Sequence, residues 1–472
     1  MKRRNFLTLS SVTALYVLTG CGGGSSSSSS TSSGSTTTVA LPIPDLLKAT
    51  DKNGIQHYDL TIQEEEHSFF DGINTQTFAI NGTYLAPTLL IQDGDNVSIN
   101  YTNTLTEDTT MHGHGMHVPA NMDGTAHQVI AAGDTWSAVY TVNQKACTNW
   151  YHPHALGTTA KQVYQGLAGL IIIEDTESKA LDLPNRYGTD DIPLVLQDRY
   201  FSSDKTAFDY SPSNQEIVQG YIGDNFITNG AIEPTFNAEA KEIRFRILNG
   251  SNSSMYDLGF SDAKSFKQIA SDNAFLESPV SMSRLTLSPG ERAEIVVDFS
   301  NDKGSIFTFK EFNNDKTFLT VDVNNDATAT TTLPNTLTTL DPIETSVKTR
   351  TFTLERTNGK LTINQKEMDL NRIDETLNLE DVEIWEVTNN MNVNHNFHIH
   401  ATHFRVIERD GSIDNVPENE KGYKDVVHLA GNASVKLLVK MTDFTDSTIP
   451  YMYHCHFLEH EDDGMMGQFT VI

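Results

Sequence analysis

Short runs in which apolar and polar residues alternate recur along the whole chain, as in VSINYTN, IRFRILN and IVVDFS. A period of two places every second side chain on one face, which is the signature of half-buried β-strands. Gly, Asn, Asp and Pro separate the runs and supply the turns. Helical spacing is scarce, and one short helix is predicted over 369–379. The pattern therefore predicts an all-β chain of sandwiches or barrels.

The runs also repeat as a set. AING, ITNG and INQ each precede an alternating stretch that ends in an asparagine: Asn103, Asn249 and Asn389. Each of these is followed by a turn and a second alternating strand, in AGDTWSAVYTV, SPGERAEIVVDF and AGNASVKLLVKM. Three copies at this spacing predict three β-sandwich domains of about 130 to 150 residues, within the usual size range. The expected boundaries are 41–178, 179–330 and 346–472. The join between the first two falls between 175 and 190, and a polar linker spans 331–345.

The N-terminus reads as targeting rather than fold. Residues 1–21 have a basic start with Arg3 and Arg4, a short apolar stretch and a small-residue exit. The start resembles a twin-arginine export signal, and Leu18-Thr19-Gly20-Cys21 resembles a bacterial lipobox. The Gly/Ser/Thr-rich segment 22–40 reads as a flexible tether. An exported protein of the periplasm or cell envelope is expected, with Cys21 as the site of a lipid anchor. The other cysteines are Cys147 and Cys455, so no disulfide framework holds the fold, and Cys147 is expected to be a small buried apolar residue. The chain has 472 residues and a formal net charge of −29, which argues against nucleic acid as a partner.

The 16 histidines are unevenly placed, and none occurs between His154 and His395. Four clusters stand out: His112-Gly113-His114, His152-Pro153-His154, His395-Asn396-Phe397-His398-Ile399-His400, and His454-Cys455-His456 with His460. Each contains an HxH, and residues two apart in a strand share a face. Four pairs offer eight imidazoles, more than one metal ion takes. Several metals close together are expected, held by the first and third repeats. His57, His67, His117, His127, His403 and His428 lie outside the pairs and are expected to be surface or packing residues. His117 and His403 are near enough in sequence to stand behind the ligands.

The stretch YMYHCHFLEHEDDGMM implies a second kind of site. In a strand Cys455 points away from His454 and His456. Cys455, His460, Met465 and a histidine from elsewhere supply a thiolate, two imidazoles and a weak thioether, the set that selects blue copper. His395 is the natural fourth member, being outside the HxH of its cluster. The two sites would then be joined by a covalent path one residue long.

The segments MHGHGMHVPANMDG, WYHPHALGTTAKQVYQGLAGLIIIED, NHNFHIHATHF and YMYHCHFLEHEDDGMM together resemble the copper motifs of the multicopper oxidases, in particular three-domain bacterial laccases and cuprous oxidases. The resemblance implies three consecutive cupredoxin-like Greek-key β-sandwich domains and four copper ions per chain. It implies a type 1 copper at His395, Cys455, His460 and Met465. The type 2 copper would take His112 and His398, and the type 3 pair His114, His152, His154, His400, His454 and His456. Two acids fall on family positions as proton relays, Asp123 and Glu461. Gly113 stands where many members carry Trp, and Asn396 where they carry Pro. A Met-rich insert found in some cuprous oxidases is missing from the third repeat.

The implied activity couples four one-electron oxidations at the type 1 copper to reduction of dioxygen to water at a trinuclear cluster. Its reducing substrate would be a phenol, Cu(I), Fe(II) or Mn(II), and the protein a monomer. A dedicated cuprous oxidase, or a non-enzymatic copper-storing or division-associated scaffold on the same fold, are the alternatives.

Overall fold

The computed structural model describes residues 39–472. The export segment with Cys21, and the tether up to residue 38, lie outside the described residues. No helix among the described residues is long and apolar enough to cross a membrane.

Six sheets pair into three consecutive cupredoxin-like sandwiches. The first joins Leu46–Lys48, Thr88–Gln92, Gly169–Glu174, Cys147–His152 and His112–His114 in one sheet, and stacks it on a sheet built around Ile55–Phe70 and Asn96–Asn103. The second has seven strands facing five, and the third six facing five. Each sandwich closes over its own apolar core, with Ile99 and Tyr151 in the first, Phe245 and Phe318 in the second, and Phe352 and Trp385 in the third.

The sequence repeat has a physical reason. In every copy the alternating strand runs parallel to the strand that opens the repeat: Ile55–Phe70 with Asn96–Asn103, Asp191–Arg199 with Glu242–Asn249, and Lys348–Thr357 with Val382–Asn389. Its terminal asparagine is buried and folds the chain that follows. Asn103, Asn249 and Asn389 each accept from the N–H two residues on (Leu105 at 3.0 Å, Ser251 at 3.0 Å, Met391 at 2.9 Å) and donate to neighbouring carbonyls. The earlier asparagine of each copy is left-handed, with φ of 56° at Asn81, 51° at Asn229 and 52° at Asn364. Asparagine tolerates that region, and its amide bonds back to the opening strand through the N–H of Thr61, Val195 or Thr353.

Three segments depart from expectation. The helix predicted over 369–379 does not form. Glu375–Leu377 is instead an edge strand parallel to Met466–Val471, and it sends Leu377 into the third core. Tertiary burial of Leu377 outweighs the helical spacing of Leu370, Ile373 and Leu377. Pairing also begins early, because Thr235 bonds the backbone of Val39 and Leu41. The polar stretch 331–345 lies packed, with Leu337 and Leu340 buried against the middle sandwich.

Candidate metal centre

Strand register brings the histidine pairs together. His112 stands opposite His152 in the antiparallel pairing of His112–His114 with Cys147–His152. His398 stands opposite His454 where His395–Ile399 pairs with Asp446–His454. Each outer sandwich thus presents two HxH motifs at the end of one sheet, and the two ends face each other. All eight rings are buried. His114 stacks on His398 with centroids 3.8 Å apart, and His112 on His400 at 4.1 Å. Three nitrogens of His154, His400 and His454 converge, as do those of His112, His398 and His400 and those of His112, His114 and His152.

The outer nitrogens show which lone pairs face inward. His112 Nδ1 meets the Asp123 carbonyl at 2.7 Å, and His400 Nδ1 the Asp123 carboxylate at 2.8 Å. His398 Nδ1 meets the Asp425 carbonyl at 2.8 Å, and His114 Nε2 the Asp425 carboxylate at 2.9 Å. His152 and His454 donate from Nδ1 to the carbonyls of Pro153 and Cys455. All these partners only accept, so each ring carries its proton outward and leaves a bare lone pair inside. His112 Nε2, His114 Nδ1, His152 Nε2, His398 Nε2 and both nitrogens of His456 have no hydrogen-bond partner. His400 Nε2 and His454 Nε2 point lone pairs at each other across 3.0 Å. Buried acceptors so arranged repel unless a cation lies among them. The residues present therefore fit metal ions.

Protons do not serve in that role. Burial, then the neighbouring imidazoles, holds His114, His152, His398, His400 and His454 well below the usual histidine range. Burial also pulls His154 and His456 down to about 3.

Cys455 sits just past the strand that ends at His454, but the alternation persists because its N–H bonds the Met465 carbonyl at 3.1 Å. Its Sγ lies 3.5 Å from His395 Nδ1 and 3.5 Å from His460 Nδ1, and those two nitrogens are 3.0 Å apart. Met465 is fully buried in the same core as Cys455, and its N–H bonds the His460 carbonyl at 3.0 Å. Burial pushes the Cys455 thiol up to about 12, so only a bound cation would make it a thiolate at neutral pH. The outer nitrogen of His460 meets the Val218 carbonyl at 3.3 Å, and that of His395 meets Met391 Sδ at 3.3 Å.

Asp123 stands behind two rings, one from each outer sandwich. It precedes Gly124, where φ is 74° and an added Cβ would sit 1.8 Å from the Met111 carbonyl oxygen, so only glycine closes that turn. Glu461 lies on the short helix Leu458–Asp462, 3.3 Å from His454 Nδ1 and 3.6 Å from His154 Nδ1, with neither carboxylate oxygen hydrogen-bonded. Burial, reinforced by the charge of Asp462, holds its carboxyl well above the usual range. At the variant positions, Met116 crowds Gly113, with Cγ 3.0 Å from where a Cβ would be. Asn396 accepts the His456 N–H at 2.6 Å and donates to Ser288 and Pro289 of the middle sandwich.

Sequence reasoning missed Asp425 and Arg292. Asp425 holds one ring from each outer sandwich, and Arg292 of the middle one bonds both its oxygens at 2.6 Å. An acid directly before the apolar pair Val426-Val427 was the available signal. His117 and His403 contact none of the ligand rings through hydrogen bonds; they stack on each other instead. His57 is half-buried in the strand Ile55–Phe70, and Cys147 is buried in the first core.

Family models described as multicopper oxidase match residues 61–178, 190–333 and 316–472. A multicopper oxidase of Staphylococcus haemolyticus is 39% identical over 89% of this chain and 90% of its own length. The chain belongs to the multicopper oxidases. It is an oxidoreductase that uses dioxygen as acceptor and copper as cofactor, and it takes electrons from a reducing substrate. Among solved structures, a laccase-like multicopper oxidase from Ochrobactrum sp. is 35% identical, with a TM-score of 0.85 over 92% of this chain and 100% of that one. The cell division protein FtsP of Xenorhabdus nematophila is 35% identical over 91% of this chain and 92% of its own length.

Proposed function

We propose that the protein couples four one-electron oxidations of a small reducing substrate to the four-electron reduction of one dioxygen to two waters. One observation carries this reading. Cys455 Sγ meets His395 and His460 on one side, while its peptide neighbours His454 and His456 belong to the eight-imidazole cluster on the other. Four copper ions per chain are assigned: type 1 at His395, Cys455, His460 and Met465, type 2 at His112 and His398, and the type 3 pair at His114, His152, His154, His400, His454 and His456. Bound copper supplies the one-electron redox steps and the reduction of dioxygen.

The chain's own residues do the remaining work. Cys455 gives a covalent route between the sites. Asp123 and Asp425 fix ring orientation across the two outer sandwiches. Four protons are consumed per dioxygen, and Glu461, kept protonated beside His154 and His454, is placed to donate them and be reloaded. Asp123 would hold a second path through its unbonded Oδ1. Electrons arrive from a substrate docked over Val218 or Met391, beside the outer nitrogens of His460 and His395. Phenols, Cu(I), Fe(II) and Mn(II) all satisfy this chemistry, and a charge of −29 speeds the approach of the cations. We further propose that residues 1–21 export the chain and that Cys21 anchors it.

The test is a metal count with oxygen uptake. Loaded protein should hold about four coppers, be blue, and consume oxygen with a phenol or a metal-ion donor. Cys455→Ser should lose the blue colour and about one copper, and a variant that stayed blue would sink the type 1 assignment. The similarity to FtsP keeps a scaffold as the second reading, and zero to one copper per chain would favour it. Comparing a phenol with Cu(I) and Mn(II) as donors identifies the substrate class.

A further inference from the structure

His117 and His403 lie three residues beyond the ligands His114 and His400, on opposite outer sandwiches. They meet outside the cluster, with ring centroids 5.0 Å apart. The pairs His395–His460 and His154–His454, assigned above to copper, stand at a similar 4.7 Å and 4.8 Å. His117 is 3% exposed, and its Nδ1 lies 3.0 Å from Asp443 Oδ2. A carboxylate only accepts, so Nδ1 carries a proton and Nε2 is the nitrogen left for a ligand. That Nε2 is enclosed and has no hydrogen-bond partner. Among the described residues no hydrogen bond engages the ring of His403.

The surroundings are built rather than accidental. The Gln144 side chain accepts the His117 N–H at 2.9 Å, and Asn143 and Thr442 hold Asp443 at 2.7 and 2.9 Å. Both rings line a cavity of about 360 Å³ with Asp93, Asp341, Asp443 and Glu177, where Lys145 is the only lysine or arginine. Glu177 already pairs that lysine at 3.7 Å. A carboxylate behind one imidazole, a bare inward nitrogen, a second imidazole and excess negative charge make up the parts of a metal site with its orienting partner.

We propose that this cleft binds one divalent transition-metal ion, separate from the copper centre, through His117 Nε2 and a ring nitrogen of His403, with water completing the shell. Two imidazoles select zinc, copper or nickel over magnesium or calcium. The ion would clasp the first and third sandwiches on a face outside the cluster. The proposal is independent of the oxidase reading, because it requires only the folded chain.

Zn(II) is the probe, being redox-silent and countable beside copper. Copper-loaded protein is incubated with Zn(II), desalted and assayed for both metals, and the affinity is taken by calorimetry. The expected result is one zinc beyond the full copper complement. His117→Gln and His403→Gln should each lose that zinc while keeping their copper and blue colour, and Asp443→Asn should weaken zinc about 10- to 100-fold. The half-buried His403 gives the safer variant, and its retained copper reports that it is folded. Wild-type protein that takes up no extra zinc, or His403→Gln that binds it unchanged, would overturn the proposal.

Discussion

Replacing Asp425 by Asn removes one charge at the point where all three sandwiches meet. The wild-type carboxylate takes two 2.6 Å bonds from Arg292 and one 2.9 Å contact from His114, all fully buried. In the variant, the nearest remaining carboxylate to the guanidinium is Asp272, with an oxygen 3.8 Å from Nη1. Breaking a buried ion pair by removing one partner costs about 3–5 kcal/mol. Arg292 still bonds the carbonyls of Thr148 and Gly290, so the lower end, about 3 kcal/mol, is expected. That is a large share of the about 5–15 kcal/mol that holds a typical domain together. The second effect falls on the metal. Loss of an orienting partner behind a ligand typically weakens metal affinity about 10- to 100-fold, or about 1.4–2.8 kcal/mol.

The two effects separate experimentally. Urea unfolding of copper-free protein reads the first, and copper titration followed by desalting reads the second. Adding Arg292→Met to Asp425→Asn removes the stranded charge, so stability should largely return. Copper affinity should not return, because His114 still lacks its carboxylate. Unchanged unfolding and copper affinity in Asp425→Asn would refute the argument. Recovery of both in the double variant would show that Asp425 acts only through Arg292.

Glu461→Gln should keep its copper and blue colour yet lower turnover about 100- to 10,000-fold, since a general acid contributes that much; equal oxygen uptake would remove Glu461 from the proton path. Glu294 gives a pH prediction. Burial raises its carboxyl, but Arg244 and Arg246 outweigh this and bring it to about 2, from an ordinary 4.5. A depressed folded value stabilises above the unfolded one, so about 3 kcal/mol should be lost as pH falls from 4.5 towards 2. Acid unfolding of Glu294→Gln should lack that step, and an identical acid profile would contradict it. Cys21→Ser should move the protein from the membrane to the soluble fraction on cell fractionation, whereas an unchanged distribution would exclude a lipid anchor at that residue.

What the sequence discloses follows from the range of the interactions. Period-two alternation is a property of one strand, so the strands and their repeat were legible. The asparagines were legible as punctuation too, since Asn103, Asn249 and Asn389 each act on residues a few positions away. The HxH pairs were readable for the same reason, two imidazoles on one strand face being a local pattern. Cys455 shows the limit of strand logic. It lies beyond the last strand residue, and its orientation survives because Met465 continues the pairing. The segment 369–379 misled because helical spacing and a single buried edge strand share the same leucines.

The middle sandwich contributes no histidine, and by composition it is a spacer. In the structure it reaches the centre from four positions: Arg292 on Asp425, Ser288 and Pro289 on Asn396, and Gly290 against His456. An added Cβ at Gly290 would stand 3.0 Å from His456 Nδ1, and φ there is 84°. None of these residues is near a histidine in sequence, and no spacing rule links Arg292 to a carboxylate 133 positions away. The clustered histidines and Cys455 are therefore written in local motifs, while their rigidity is written in one loop of the middle sandwich. Substitutions in 288–292 should disturb the joint between Cys455 and the histidine cluster without removing any of those side chains, which is why a motif search alone underestimates the site.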